Sequence, residues 1–202
     1  MTSEEVFARF VPEGAVQYCN KLYQRLDFEF KVKKARQSKM GDYRYNFQSR
    51  KQLISINNDL NPYAFLVTYL HEVAHLIAFN QYGRKIQPHG KEWKQCFREV
   101  ATPMLKTEIF PPSVLAALNH YFKNPKASSC SDPRLYQILK LYDSDKQVIL
   151  LKDIGIGEQF YFNKRLFLKV EKKRTRSVCL EVKSKKKYLI SEIAEVSPPT
   201  DQ

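Results

Sequence analysis

The chain has 202 residues, 43% of them apolar and 27% charged, so it is long enough to bury a core and too apolar for wholesale disorder. Its four cysteines, Cys19, Cys96, Cys130 and Cys179, are scattered without a Cys-x-x-Cys. That spacing excludes a zinc ribbon and a dense disulfide framework and fits a reducing compartment. A formal net charge of +13 favours polyanionic partners, of which nucleic acid is the commonest inside cells.

The chain starts Met1-Thr2-Ser3-Glu4-Glu5, with no basic segment leading into an apolar run, and no apolar stretch nears membrane-spanning length. A cytoplasmic protein without a membrane partner is expected. Residues 4–26 carry apolar side chains at helical spacing, with a break at Pro12 and Gly14. From Phe28 the period drops to two. Phe28, Phe30 and Val32 alternate with charged residues, then Tyr43, Tyr45 and Phe47, then Leu53 to Ile56. These three runs predict a three-stranded antiparallel meander. Between Lys31 and Lys51 it carries eight Lys or Arg against one Asp.

Asn61-Pro62 predicts a helix start, with Asn as N-cap and Pro at the first helical position, and Gly83 predicts its end. A further helix is expected around Trp93, Phe97 and Val100, and a short one from Val114 to Tyr121 that includes His120. Residues 123–129 have linker composition. Beyond about residue 130 short apolar runs alternate with turn signals: Val148–Leu151, Phe160–Phe162, Leu166–Leu168, Val178–Leu180 and Tyr188–Ile190. They predict a small barrel or curled sheet.

Within the central helix stands His71-Glu72-Val73-Ala74-His75. Two imidazoles four residues apart share one helix face and reach one metal ion, with the intervening Glu beside the ion's open position. A buried helix is a poor place for His, Glu and His together unless something neutralises and satisfies them. A catalytic Zn²⁺ takes three protein ligands, and His89, past the helix end and next to Gly90, is the natural third; Glu92 or Glu99 on the following helix is the acidic alternative. His120 reads as a surface histidine. Glu72 is then the general base, and one Zn²⁺ the cofactor.

Three stretches, Leu53-Ile54-Ser55-Ile56-Asn57, His71-Glu72-Val73-Ala74-His75 and His89-Gly90-Lys91-Glu92-Trp93, together resemble the SprT-like (Spartan-type) zinc metalloprotease domain over roughly residues 4–122. The resemblance implies zinc ligands His71, His75 and His89, a catalytic Glu72, and a protease acting on DNA-associated or DNA-crosslinked proteins. Many members of the family carry a C-terminal zinc ribbon of paired cysteines. Here only Cys130 and Cys179 fall in that region, so the ribbon's DNA binding does not transfer. The expected fold class is α+β: a zincin-like domain over 1–125 with a three-stranded antiparallel sheet, a small basic all-β domain over 126–196, and a disordered tail at 197–202.

DNA contacts are expected in the second domain. Lys164, Arg165, Lys169, Lys172, Lys173, Arg174, Arg176, Lys183, Lys185, Lys186 and Lys187 stand against two Glu, and on neighbouring strands they would form one continuous positive face. Aromatics of the meander would stack on bases if exposed, but their alternation fits a core-facing side better. Two rival readings remain: a nucleic-acid-binding adaptor with a vestigial metal fold, and a zinc hydrolase with a non-peptide substrate. An adaptor has no use for Glu72.

Overall fold

The first helix starts where its sequence says it should. Thr2 accepts from the Glu5 backbone N–H while the Glu5 carboxylate accepts from that of Thr2, a reciprocal cap that opens α1 (Ser3–Phe10). Pro12 and a short 3₁₀ turn then separate it from α2 (Val16–Leu26). The computed structural model describes residues 2–126, 132–143, 149–197 and 199, and falls into two compact units, Met1–Ser144 and Asp145–Gln202.

In the first unit, strands β1 (Glu29–Lys33), β2 (Gly41–Tyr45) and β3 (Gln52–Asn57) form one sheet in the order β1-β3-β2. The expected antiparallel meander is corrected here: β2 and β3 make an antiparallel hairpin, but β1 runs parallel to β3. Burial explains the order. β3 is the strand with Ile54, Ser55, Ile56 and Asn57 all buried, and it takes the centre, while the Lys-bearing β1 and the shorter aromatic β2 become edges. The long β1–β2 connection is pinned across β3 by Asn57, whose Nδ2 donates to the carbonyls of Arg36 (3.2 Å) and Lys39 (2.9 Å).

The central helix α3 (Pro62–Tyr82) is buried along most of its length and on nearly every side, so it is the element the unit is assembled around. Asn61 caps it as expected, accepting from the N–H groups of Tyr63 and Ala64. Phe30 of the sheet meets Phe65 and Tyr69, Phe7 of α1 meets Tyr69 at 5.0 Å, and the Tyr69 hydroxyl donates to the Cys19 carbonyl of α2. Each such aromatic contributes on the order of 2–3 kcal/mol by leaving water, and edge-to-face contacts add about 1 kcal/mol more. Helices α4 (Lys91–Ala101) and α5 (Pro112–Tyr121) follow.

A helix the sequence reading lacked, α6 (Pro133–Lys140), completes this unit. Asp132 caps it, Leu135 and Leu139 enter the core, and Asn61 Nδ2 donates to both the Leu139 carbonyl (2.8 Å) and Asp143. Those contacts bind α6 to the start of α3. The chain therefore divides into its units after Ser144 rather than near 125, and among the described residues beyond 126 the first strand starts at Ile149.

In the second unit β5 (Gln159–Phe162), β6 (Arg165–Lys172), β7 (Arg176–Glu181) and β8 (Lys187–Ser191) form an antiparallel sheet in sequence order, and β4 (Ile149–Leu150) pairs with β9 (Glu195–Val196). Phe160, Phe167, Cys179 and Ile190 make its own small core. Ser197, placed in the expected tail, exchanges two backbone hydrogen bonds with Tyr161; residues 198 and 200–202 lie outside the described residues, as does Cys130. No helix among the described residues is long and apolar enough to cross a membrane.

Candidate metal centre

His71 and His75 leave the same face of α3 one turn apart, toward α4. Gly83, at φ 70°, stops the helix, and a tight turn brings the chain back to His89. His89 itself sits at φ 60°, a left-handed conformation that costs a non-glycine residue energy and collects at functional sites. Gly90 donates to the Gln87 carbonyl at 2.8 Å, and a Cβ there would lie 2.9 Å from that oxygen, so the turn leaves no room for a side chain.

The three side chains converge. The Nε2 of His75 lies 3.2 Å from that of His71 and 2.9 Å from that of His89, and all three donor atoms fall within 4.8 Å of one another. Burial pushes all three imidazoles toward the neutral form, His75 down to about 3, and the neighbouring rings push His71 and His75 the same way. Neutral nitrogens crowd together in this way when a cation takes their lone pairs. Three nitrogens at zinc bonding distance of 2.0–2.1 Å in a tetrahedral arrangement stand about 3.3 Å apart, close to the spacing found. The donor set thus fits one metal ion with a fourth position open. Trp93 of α4 packs on all three rings at 4.7–5.1 Å, Phe97 on His71, and the Tyr43 ring lies parallel to His75. Glu92, Glu99 and the exposed His120 stand outside the cluster.

Glu72 is buried beside these donors. Burial, with the charge of Asp42 second, pushes its carboxyl up to about 8, against the N–H of Tyr43 and the charges of Arg36 and Lys39. The Tyr43 bond follows from strand geometry. On either side of Tyr43, the Asn46 N–H donates to the Lys51 carbonyl just before β3 and the Met40 carbonyl accepts from the Asn57 N–H, so the N–H of Tyr43 points to the open edge of β2. Gly41 makes room: a Cβ there would stand 2.6 Å from Thr68 Cγ2 and 2.7 Å from Glu72 Oε1. Its need is space, not a special backbone angle. On the expectation that Glu72 is the general base, Gly41→Ala should push the carboxylate or the strand aside and lower turnover about 10–100-fold, the scale of a misplaced catalytic group. Metal content should stay at the wild-type level, because the atoms nearest to a Cβ there belong to Thr68 and Glu72 rather than to an imidazole; steady-state kinetics with metal analysis checks both.

Neither Gly41 nor Tyr43 was among the sequence-derived site residues. Gly41-Asp42 reads as a turn, and only the sheet order shows that it abuts α3. Tyr43 and Tyr45 face α3, as their alternation implied, with Tyr45 4.5 Å from Phe79. Phe47 is half exposed, with the Arg84 guanidinium 3.3 Å from its ring centre.

The basic residues of the second unit do not form one face. Lys164, Arg165, Lys183, Lys185, Lys186 and Lys187 gather at the β5–β6 and β7–β8 turns, whereas Lys172, Lys173, Arg174 and Arg176 gather at the β6–β7 turn. Successive hairpin turns lie at opposite ends of a meander, here about 17 Å apart along β7. Lys169 is corrected outright. It is 2% exposed, donates to the carbonyls of Leu151 and Ile154, and pairs with Glu192 at 3.2 Å, so it is structural and out of a nucleic acid's reach. Arg165 is engaged by Glu181.

A helix-borne Glu thus stands beside three imidazoles positioned to bind a metal ion, an arrangement compatible with metalloprotease chemistry. The model of the SprT-like family matches residues 10–114, more than half of the chain, and the chain belongs to that family. It is similar to proteins named Protein SprT: 58% identical over 63 residues in Pseudomonas fluorescens (31% of this chain, 38% of that protein), and 54% over 41 residues in Vibrio parahaemolyticus (20% and 24%). A third, from Glaesserella parasuis, is 57% identical over 30 residues, 15% of this chain and 19% of its own. The chain thus spans less than half the length of these curated relatives. No solved structure matches it.

Proposed function

We propose that this protein is a zinc-dependent metalloendopeptidase that cleaves proteins held on DNA. The observation that carries the reading is the convergence of His71, His75 and His89 with the buried Glu72 at their side. The imidazoles would hold one Zn²⁺, which when bound polarises the scissile carbonyl and makes water acidic enough to attack near neutral pH. Glu72 takes the proton from the attacking water and returns it to the leaving amine. A divalent cation beside it favours its ionised form, offsetting the rise that burial alone produces. The Tyr43 N–H and the bare Cα of Gly41 fix which way the carboxylate points.

The open edge of β2 supports a peptide substrate over a small molecule. An extended chain can add to it as a further strand, held by backbone groups and so with little regard to sequence. Trp93 and Phe97 close the opposite side of the site against water. The formal charge of +13 and the two basic ends of the second unit support DNA as the surface on which substrates are met. The buried free thiols Cys19, Cys96 and Cys179 fit a cytoplasmic setting.

The test is cleavage of a protein crosslinked to an oligonucleotide by the zinc-loaded chain. Fragments should form, stop on chelation and resume when Zn²⁺ is added back. DNA binding without any cleavage, unaffected by chelation, would support the adaptor reading instead.

A further inference from the structure

Alternation along the first unit's strands sorts their side chains onto two faces. Phe30, Ile54 and Tyr43 form one cross-strand row, and Val32, Ile56 and Gly41 the next, all turned toward α3. The intervening rows, Glu29–Leu53–Arg44 and Lys31–Ser55–Asp42, face away from it. Arg36 lies over this outer face: Nε donates to Asn57 Oδ1 at 2.7 Å, Nη1 to Ser55 Oγ at 3.1 Å and Nη2 to the Ser55 carbonyl at 3.2 Å. A guanidinium therefore occupies the middle of the face. Around it the side chains of Lys31, Arg44 and Lys51 are 55%, 61% and 71% exposed.

The acids on this face do not neutralise it. Glu29 is shared by Lys31 (3.1 Å) and Lys51 (3.9 Å), and Asp42 by Lys39 (2.8 Å) and Arg44 (2.5 Å). Each carboxylate is bracketed by two cations, and Lys33 and Arg36 add further positive charge. A groove of about 720 Å³ runs over the hairpin end of the face, lined by Glu29, Arg44, Asn46, Ser49, Lys51 and Leu53.

We propose that this outer face of the sheet binds the sugar–phosphate backbone of a nucleic acid strand. A sheet fixes its cations about 4.8 Å apart across strands and about 6.7 Å apart along them, a preorganised array that gives up little freedom on binding. The guanidinium and ammonium groups suit phosphate oxygens.

Resting on the protease reading, the placement has a consequence. β2 is the wall between the two sites: Asp42 and Arg44 look outward, Gly41 and Tyr43 look toward Glu72. A protein attached to a strand on the outer face is presented to the metal centre across one strand of sheet.

The test is fluorescence anisotropy of a labelled thymine oligonucleotide with the full chain across a salt series, a readout that needs no cleavage. The triple variant Lys31→Gln, Lys33→Gln, Lys51→Gln is expected to bind at least about tenfold more weakly, with a salt slope lower by about 2, three single-strand phosphate contacts at about 0.7 each. The control Lys21→Gln, Lys106→Gln, Lys152→Gln removes the same charge from exposed positions elsewhere and should weaken binding less than about threefold. Zinc content and melting temperature report that both variants fold. Equal loss in the two variants would overturn the proposal, leaving only net charge. So would a sheet variant that loses polyglutamate or anionic-vesicle binding but holds the oligonucleotide as the wild type does.

Discussion

Glu72→Gln is expected to lower cleavage of a DNA-bound protein by at least about a thousandfold while leaving the metal in place. General-base catalysis is worth about 10²–10⁴ in rate, or about 3–5 kcal/mol of barrier, and an amide of the same shape cannot take the proton. The metal stays because the three donor nitrogens belong to His71, His75 and His89, and the Tyr43 N–H still finds an acceptor in the glutamine oxygen. The metal-free variant should also melt higher than the metal-free wild type at neutral pH. The sign follows from burial. Glu72 is raised to about 8 in the folded chain, so its contribution is favourable below the usual carboxylate range of about 4 and is lost as pH climbs toward 8. Glutamine removes that penalty. Fragment formation on a gel and melting curves after chelation check both halves. Undiminished cleavage would mean another base.

Much of the first unit was legible because its signals are local. Asn61-Pro62 and Gly83 delimit α3 through capping chemistry that acts within a turn, and the alternation of β1, β2 and β3 correctly sorts core from solvent. Strand order is different. Period-two alternation says which face a residue occupies but not which strand lies beside it, so nothing local announced that β3 would sit between β1 and β2. α6 was hidden for another reason. Leu135, Ile138 and Leu139 have helical spacing, but eight residues beside a linker are too few to stand out, and the partner that stabilises them is the start of α3.

The site divides the same way. Spacing along one helix brings His71, Glu72 and His75 together, and the Gly83 stop with the Pro-His-Gly turn directs His89 back to them. Gly41 and Tyr43 reach Glu72 only through the sheet order, which the sequence did not yield. In the second unit, counting charges overstated the case. Phe167 and Lys169 are two apart on β6, and that period alone turns Lys169 toward the small core with Phe167.

Replacing a metal ligand should have the other large effect. His75 is the hinge of the cluster, with its Nε2 near those of both partners, so His75→Ala leaves two donors facing a gap. Even groups that merely orient a ligand account for 10–100-fold in metal affinity, and loss of the ligand itself is expected to cost at least about a thousandfold. Saturating metal stabilises a folded chain by about 4 kcal/mol when it stands a thousandfold above its dissociation constant. Chelation should therefore lower the wild-type melting temperature clearly and that of His75→Ala scarcely at all. His89→Ala should lose metal likewise. The most direct measurement is X-ray absorption at the zinc edge of the zinc-loaded wild-type chain. One zinc per chain is expected, with three imidazole nitrogens at about 2.0–2.1 Å and one oxygen completing the shell. A thiolate shell at about 2.3 Å, or zinc that remains bound in His75→Ala with an unchanged spectrum, would contradict the account.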